Sequence, residues 1–337
     1  MFQVEPILWL QSFDWPPLAW LLSGVTLLGY APAYVVLLLV MAFAVRLRPT
    51  LAVLGGLLLC LLLTEGFKDG VEFPRPDEID SRVRKSFGSG PVQLHQRGGA
   101  PDFWSPPRAD ALFAVRRHAS GNYGFPSGHV SAATAFVLCA AYFFRSRRLL
   151  AFGAGWVPAM ALSRMYLGRH FLGDVLGGLA IGLVSAALAL PLLRGLGDAA
   201  SAGGRRERRV VVGLALLGAA LAAAVPLTPL VQPSYAGAVA GLAISCGVLL
   251  AAGFPPDGGT RRQRARRVAI AGLVFLAGIA ARQALLAVVG HGVVRVAALG
   301  AALVVTVLTF AGSALLCRRL GLYGPDDEVD LSPGGRA

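Results

Sequence analysis

The sequence predicts an all-α fold, a polytopic transmembrane helical bundle, and three observations carry that prediction. Hydrophobic residues fill 55% of the 337 positions and charged residues only 15%, with a mean hydropathy of +0.64, far more apolar than one soluble core requires. Runs of roughly 20 mostly apolar residues recur along the chain, the length a helix needs to cross hydrocarbon with every backbone group bonded internally. Short arginine clusters separate these runs at alternate connections, the pattern expected of loops held on one side of a bilayer.

Residues 1–30 hold several aromatics and the Pro16-Pro17 pair and read as an interfacial helix, the uncharged run from Pro17 onward supplying the alternative of a tenth span. No basic stretch, apolar run and small-residue cleavage site open the chain, so no removable leader is expected. Spans follow at about 28–46 and 50–67. The connection 68–127 is too long and polar for a simple turn. Its Pro101-Asp-Phe-Trp104-Ser-Pro-Pro107 stretch and Arg116-Arg117-His118 suit either a lid for headgroup recognition or a folded or partly disordered cap. Spans at about 128–145, 149–167 and 171–193 complete a unit over 1–195. The Gly- and Arg-rich segment 196–209 reads as a basic cytoplasmic linker. Four more spans, at about 210–227, 235–254, 268–290 and 294–317, make a second unit over 210–319, and 320–337 is a cytoplasmic tail.

Nine spans put Arg46 and Arg48, Arg145, Arg147 and Arg148, Arg205, Arg206, Arg208 and Arg209, the 261–267 cluster, and Arg318 and Arg319 all on one side. The formal charge of +13 is thus spent on topology, and nucleic acid is excluded as a partner. Cys60, Cys139, Cys246 and Cys317 lie in or beside apolar runs without metal-ligand spacing and read as small core residues. Arg282 and Arg295 fall in or near late spans, where they either approach a substrate cavity or serve as structural cations. Glu65 stands one turn before Lys68 and reads as its helical partner.

Three motifs stand at the predicted boundaries opposite the arginine clusters: Lys68-Asp-Gly-Val-Glu-Phe-Pro-Arg75-Pro76, Pro126-Ser127-Gly128-His129, and Ser163-Arg164-Met-Tyr-Leu-Gly-Arg-His170-Phe-Leu-Gly-Asp174. Lys68, Arg75 and Arg164 bring three cations to one face, where guanidinium forks and a compact ammonium suit a phosphate dianion. Ser127 precedes an apolar run as a candidate N-cap, so free N–H groups point toward the loop. Gly128 permits close backbone approach, and His129 is placed to give a proton to a leaving oxygen. His170 and Asp174, four apart, share a face if that segment is helical, and the carboxylate then fixes the ring tautomer. Read alone, each motif has a plainer meaning: snorkelling cations, a capped helix, a structural His–Asp pair.

Together, in this order, they resemble the signature of the type 2 phosphatidic acid phosphatase (PAP2) superfamily, and every specified position is matched. The resemblance covers roughly residues 20–195. It implies a PAP2-type catalytic core, to which the C-terminal helices read from the apolar runs are additional, and a lipid phosphatase of the membrane branch. By that resemblance His170 is the nucleophile that forms a phosphohistidine, His129 the acid that protonates the departing group, and Asp174 the residue that orients His170. Lys68, Arg75, Ser127, Gly128, Ser163 and Arg164 bind phosphoryl oxygens. No metal and no cofactor is implied, and His95, His118 and His291 form no ligand set.

The resulting expectation is an integral membrane hydrolase of a lipid phosphate or diphosphate, of polyprenyl diphosphate, phosphatidate or sphingoid-base phosphate type. Its site faces the periplasm or exterior of a plasma membrane, and the composition suggests a bacterium. Two other readings remain at this point: phosphotransfer to a lipid or sugar hydroxyl, and a transporter or flippase that binds phosphate headgroups without turnover. Membrane lipids are the expected surroundings; the sequence does not address oligomeric state.

Overall fold

The computed structural model of the chain describes residues 1–84, 94–118, 123–197, 204–290 and 292–324. The middle of the predicted linker, His291 and most of the predicted tail lie outside them. The described residues are helical, with no strand among them and a single isolated bridge between Asp80 and Arg97.

The order is α1 (Glu5–Ser12), α2 (Pro16–Leu27), α3 (Ala31–Val40, continued by a π turn Met41–Val45), α4 (Leu47–Val71), α5 (Pro76–Ile79), α6 (Ala109–His118), α7 (Gly128–Phe143), α8 (Arg147–Tyr166), α9 (Leu172–Gly197), α10 (Arg205–Ala224), α11 (Pro233–Ala252), α12 (Arg261–Val288), α13 (Val294–Val307) and α14 (Ser313–Arg319). A helix overlaps every predicted span. Among the described residues, five helical stretches are long and apolar enough to cross a bilayer by length and composition: Leu47–Ile79, Leu172–Leu196, Pro233–Ala252, Arg261–Val288 and Val294–Arg319. Helix α7 is 16 residues, about 24 Å at 1.5 Å per residue, and so shorter than the hydrocarbon core.

The expected span 28–46 is corrected. Residues 28–30 are a break between α2 and α3, which bend by 60° and pass the same test only as a pair. Helix α3 and its π turn alone reach only about 22 Å. The Pro-Pro start at Pro16 and the Gly29 interruption give the physical reason: proline opens α2 and glycine ends its register.

Small residues set the packing. Gly56 on α4 admits Cys139 of α7, where a Cβ would approach its sulfur to 2.5 Å; Gly182 on α9 admits Thr134 at 2.5 Å. Gly237 and Gly241 on α11 take the backbone of α13 at Leu299 and Leu303. Such contacts replace the hydrophobic driving force that lipid removes. One buried cluster runs from Phe43, Leu51 and Leu57 through Cys139 and Ala189 to Leu242, Cys246, Phe310 and Ala314, so the units predicted on either side of 196–209 share a core. All four cysteines are buried, free members of the interior.

Arginine clusters meet at one end of the bundle. Arg48 pairs with buried Glu207 at 3.1 Å, Arg264 reaches Ala44 O at 3.3 Å, and Arg318 reaches Ala252 O at 2.8 Å. Clefts of about 710 and 830 Å³ open at that end beside Tyr142 and Arg194. At the other end, the connection after α4 folds into a cap among its described residues. Ile79, Val83, Ala111 and Val115 pack with Val4, Ile7 and Phe171 in a small core of their own, and the Phe2 ring meets Phe73, Phe125 and Phe171 edge-on.

Candidate active site

Four helix ends converge beneath this cap: the last turn of α4, the first of α7, the last of α8 and the first of α9. Their closeness follows from the small residues facing one another. A Cβ at Gly178 of α9 would stand 2.5 Å from Ser127 O, and one at Gly124 would stand 2.6 Å from Pro74 O and 3.2 Å from Asp174 Oδ2. The Ser127 N–H donates to Asp174 O at 2.9 Å. Through these contacts the three sequence motifs become one place.

His170 lies in the connection between α8 and α9 and is 2% exposed. Its Nδ1 stands 3.3 Å from Asp174 Oδ2, and the same oxygen accepts the Phe171 N–H at 2.8 Å. The pair is therefore not on one helical face as expected. Asp174 sits three residues into α9 and turns back to the residues that precede the helix, the acidic half of a capping box. Its grip on Phe171 N–H and on the imidazole is one local motif, which fixes the ring and leaves Nε2 as the free nitrogen when Nδ1 carries the proton. Burial, and then the charges of Arg75, Arg164, His129 and Lys68, hold the His170 imidazole well below its ordinary value, so it is neutral near pH 7.

The cations around it are held differently. Lys68 pairs with Glu65 at 2.7 Å, one turn earlier on α4, as expected. Its ammonium also borders Gly128, where a Cβ would come to 3.4 Å. Arg75 is 7% exposed; its backbone N–H donates to Glu78 Oε2 at 3.0 Å, and its guanidinium stands 3.5 Å from Arg169 O. Arg164 is 4% exposed, and its Nε has no hydrogen-bond partner.

Three more polar atoms of the cluster are buried without partners: Ser127 Oγ, His129 Nε2 and Asp174 Oδ1. Ser127 holds the N-cap position of α7, but its hydroxyl makes no cap bond. Ser163 is also placed otherwise than expected: its hydroxyl donates to Leu22 O at 2.6 Å and contacts the Thr26 hydroxyl, tying α8 to α2. Buried, unpaired polar atoms cost about 1–3 kcal/mol each. A set of buried hydroxyl, imidazole and guanidinium donors has the chemistry of an oxyanion ligand shell.

Sequence reasoning missed three participants. Arg169 forms a 2.7 Å ion pair with buried Asp77, and both residues fall beside motif positions, next to His170 and Pro76. Tyr30 meets the His129 ring edge-on, centroids 4.7 Å apart; no periodicity marks it, since it stands in a helix break. Arg295 and Arg282 do not join the cluster. Arg295 spans the carbonyls of Val225, Thr228 and Val231 at 2.8–3.1 Å, and Arg282 donates to Ser234 Oγ at 3.0 Å. Among the described residues no group of His, Cys, Asp and Glu converges to hold a metal.

Residues 49–197 match the model of the PAP2 superfamily. The chain is 34% identical over 76 residues to a lipid A 4'-phosphatase of Bacteroides thetaiotaomicron, covering 23% of this chain and 34% of that one. It is 27% identical over 137 residues to a lipid A 4'-phosphatase of Porphyromonas gingivalis, covering 41% of this chain and 49% of the relative. The matched regions thus span between a third and a half of these relatives. No solved structure matches.

Proposed function

Residues 49–197 belong to the PAP2 superfamily, and from that premise we propose that the chain is an integral membrane phosphatase that hydrolyses a phosphorylated lipid through a phosphohistidine at His170. The observation that carries the reading is the set of unpartnered buried atoms Ser127 Oγ, His129 Nε2 and Arg164 Nε, contributed by two separate motifs. A phosphoryl group supplies acceptors for all three donors at once, with Lys68 and Arg75 adding charge.

In the proposed reaction His170 Nε2 attacks phosphorus in line with the lipid oxygen. The N–P bond forms as the P–O bond breaks, and the departing oxygen keeps the electron pair and takes a proton from His129. Asp174 holds the Nδ1 proton through both steps. Water then attacks phosphorus and gives a proton back to His129 as the N–P bond breaks and its electron pair returns to His170. The sum is ester plus water to alcohol plus inorganic phosphate. Ser163 serves this scheme by anchoring α2, as its hydroxyl bonds suggest.

Residues 1–195 carry the chemistry, and 210–319 brace α4 through the common core. The arginine-rich end faces the cytoplasm, so the site faces outward. The relatives' name adds a phosphorylated glycolipid of lipid A type to polyprenyl diphosphates, phosphatidate and sphingoid-base phosphates as candidate substrates.

The test is release of inorganic phosphate by purified protein in detergent, with chelator and without an acceptor. Turnover of at least one of these lipids is expected, falling at least about a thousandfold in His170→Ala. Full turnover by that variant would sink the mechanism; turnover only with an added acceptor would replace hydrolysis with transfer.

A further inference from the structure

The break between α2 and α3 lies outside residues 49–197 and touches the proposed acid directly. Gly29 is buried against the edge of His129: a Cβ there would stand 2.6 Å from its Cδ2 and 2.7 Å from Met160 Cε, so the backbone approaches closer than any side chain allows. Tyr30 meets the same ring edge-on at 4.7 Å and 83°. The break is fixed from behind, since Ser163 on α8 bonds Thr26 and Leu22 O, one and two turns before it. On its other side it is open: Leu27 is 61% exposed, Leu28 55% and Tyr30 45%, on a helix pair apolar enough to lie in lipid.

In-line transfer puts the leaving oxygen on the face of phosphorus away from His170, within hydrogen-bond reach of His129. Whatever is bonded to that oxygen must therefore lie beside His129, where Gly29 and Tyr30 stand. Resting on the function proposed above, we propose that the α2–α3 break is the subsite for the departing lipid alcohol, with Tyr30 as its specificity-determining wall. The carbons nearest the phosphate lie against the Tyr30 ring, and the hydrocarbon leaves the protein over Leu27 and Leu28 directly into the bilayer. An aromatic ring on one side and an absent side chain on the other suit a flat apolar or sugar-borne carbon skeleton. The break thus joins the polar phosphate cage to the membrane by one short path.

Binding tests the subsite without turnover. In the full chain carrying His170→Ala, affinity would be measured for dioleoyl phosphatidate, undecaprenyl diphosphate and lipid A, and for inorganic phosphate, which has no departing alcohol. Adding Tyr30→Ala should weaken the tightest-bound lipid about tenfold, the contact of roughly two methylenes, and leave inorganic phosphate within about threefold. Tyr30→Phe keeps the ring and removes only the hydroxyl's contact with Arg164, so it should weaken lipid and inorganic phosphate alike, by no more than about threefold, and keep the preference for lipid that Tyr30→Ala loses. In the otherwise wild-type chain Gly29→Ala should lower kcat by displacing His129. An equal loss for lipid and inorganic phosphate would reduce Tyr30 to a prop for the cage and overturn the subsite. So would lipid affinity unchanged by Tyr30→Ala, or no lipid binding more tightly than inorganic phosphate. Failure of the phosphatase reading looks different: lipids are held and Tyr30 matters, yet the wild-type chain releases no phosphate.

Discussion

Replacing Asp174 with asparagine isolates the orienting carboxylate from the shape of the site. One oxygen, Oδ2, accepts both from Phe171 N–H at 2.8 Å and from His170 Nδ1 at 3.3 Å, while Oδ1 is buried without a partner. The asparagine has two orientations, and each is worse. With its oxygen in the Oδ2 position it keeps both bonds as neutral ones, about half as strong as charge-assisted bonds, and buries an amide NH₂ with nothing to receive it. Flipped, it orphans Phe171 N–H and forces Nδ1 to accept, moving the proton onto Nε2, the attacking nitrogen. Either way about 2–4 kcal/mol of support for the charged transition state is lost, so kcat should fall by roughly 30-fold to 10³-fold. KM should change little, because the phosphate ligands are on other residues. Single-turnover phosphate release gives kcat, and thermal unfolding in detergent confirms that the variant is folded. A folded Asp174→Asn protein with kcat within threefold of wild type, or with its whole defect in KM, would refute the orientation argument.

Other consequences can be checked alongside. His170 has a folded-state value below its unfolded one of about 6.5, so its neutral form stabilises the fold above that pH and the contribution is lost as pH falls through it. The melting temperature should therefore drop between pH 7.5 and pH 5 more steeply for wild type than for His170→Gln, and saturating inorganic phosphate, by offsetting the surrounding cations, should flatten the difference in scanning fluorimetry. Arg164→Lys keeps a charge but removes the buried Nε donor; kcat/KM should fall by about 10², with inhibition by vanadate weakened in parallel. Arg295→Ala removes the clamp on three carbonyls, which should lower unfolding stability by about 2–3 kcal/mol while phosphate release per folded molecule stays unchanged.

How far the sequence reaches differs between fold and site. Apolar run length is enough to place a helix within every predicted span, because lipid allows few other ways to satisfy a backbone. It does not see that residues 28–30 are a break, since Leu28 and Tyr30 are as apolar as their neighbours and only Gly29 marks the interruption. The motifs bring together Lys68, Arg75, Ser127, Gly128, His129, Arg164, His170 and Asp174 because each ends or begins a helix at the same end of the bundle. Side-chain direction is less accessible. Ser127 occupies the N-cap position but leaves its hydroxyl uncommitted, and Asp174 reaches back from the first turn of α9 instead of lying along a face with His170. Tyr30, Asp77 and Arg169 carry no spacing signal, for their partners are 99, 92 and 92 residues away, and only tertiary packing pairs them. Arg295 illustrates the converse: position alone leaves an intramembrane charge open between a functional and a structural part, and its bonds show that it closes the carbonyl end of α10.

The central claim is the identity of the nucleophile, and it is tested most directly by trapping the intermediate. Wild-type protein mixed with a turned-over lipid carrying labelled phosphate, and quenched in alkali within a single turnover, should yield one phosphorylated peptide. The label should map to His170, survive base and be lost in acid as a phosphoramidate is. It should accumulate when His129 is replaced by glutamine and a substrate with a good leaving group is used, and be absent from His170→Ala. Label on any other residue, or turnover by wild type with no label on His170 under conditions where hydrolysis of the intermediate is slowed, would contradict the account.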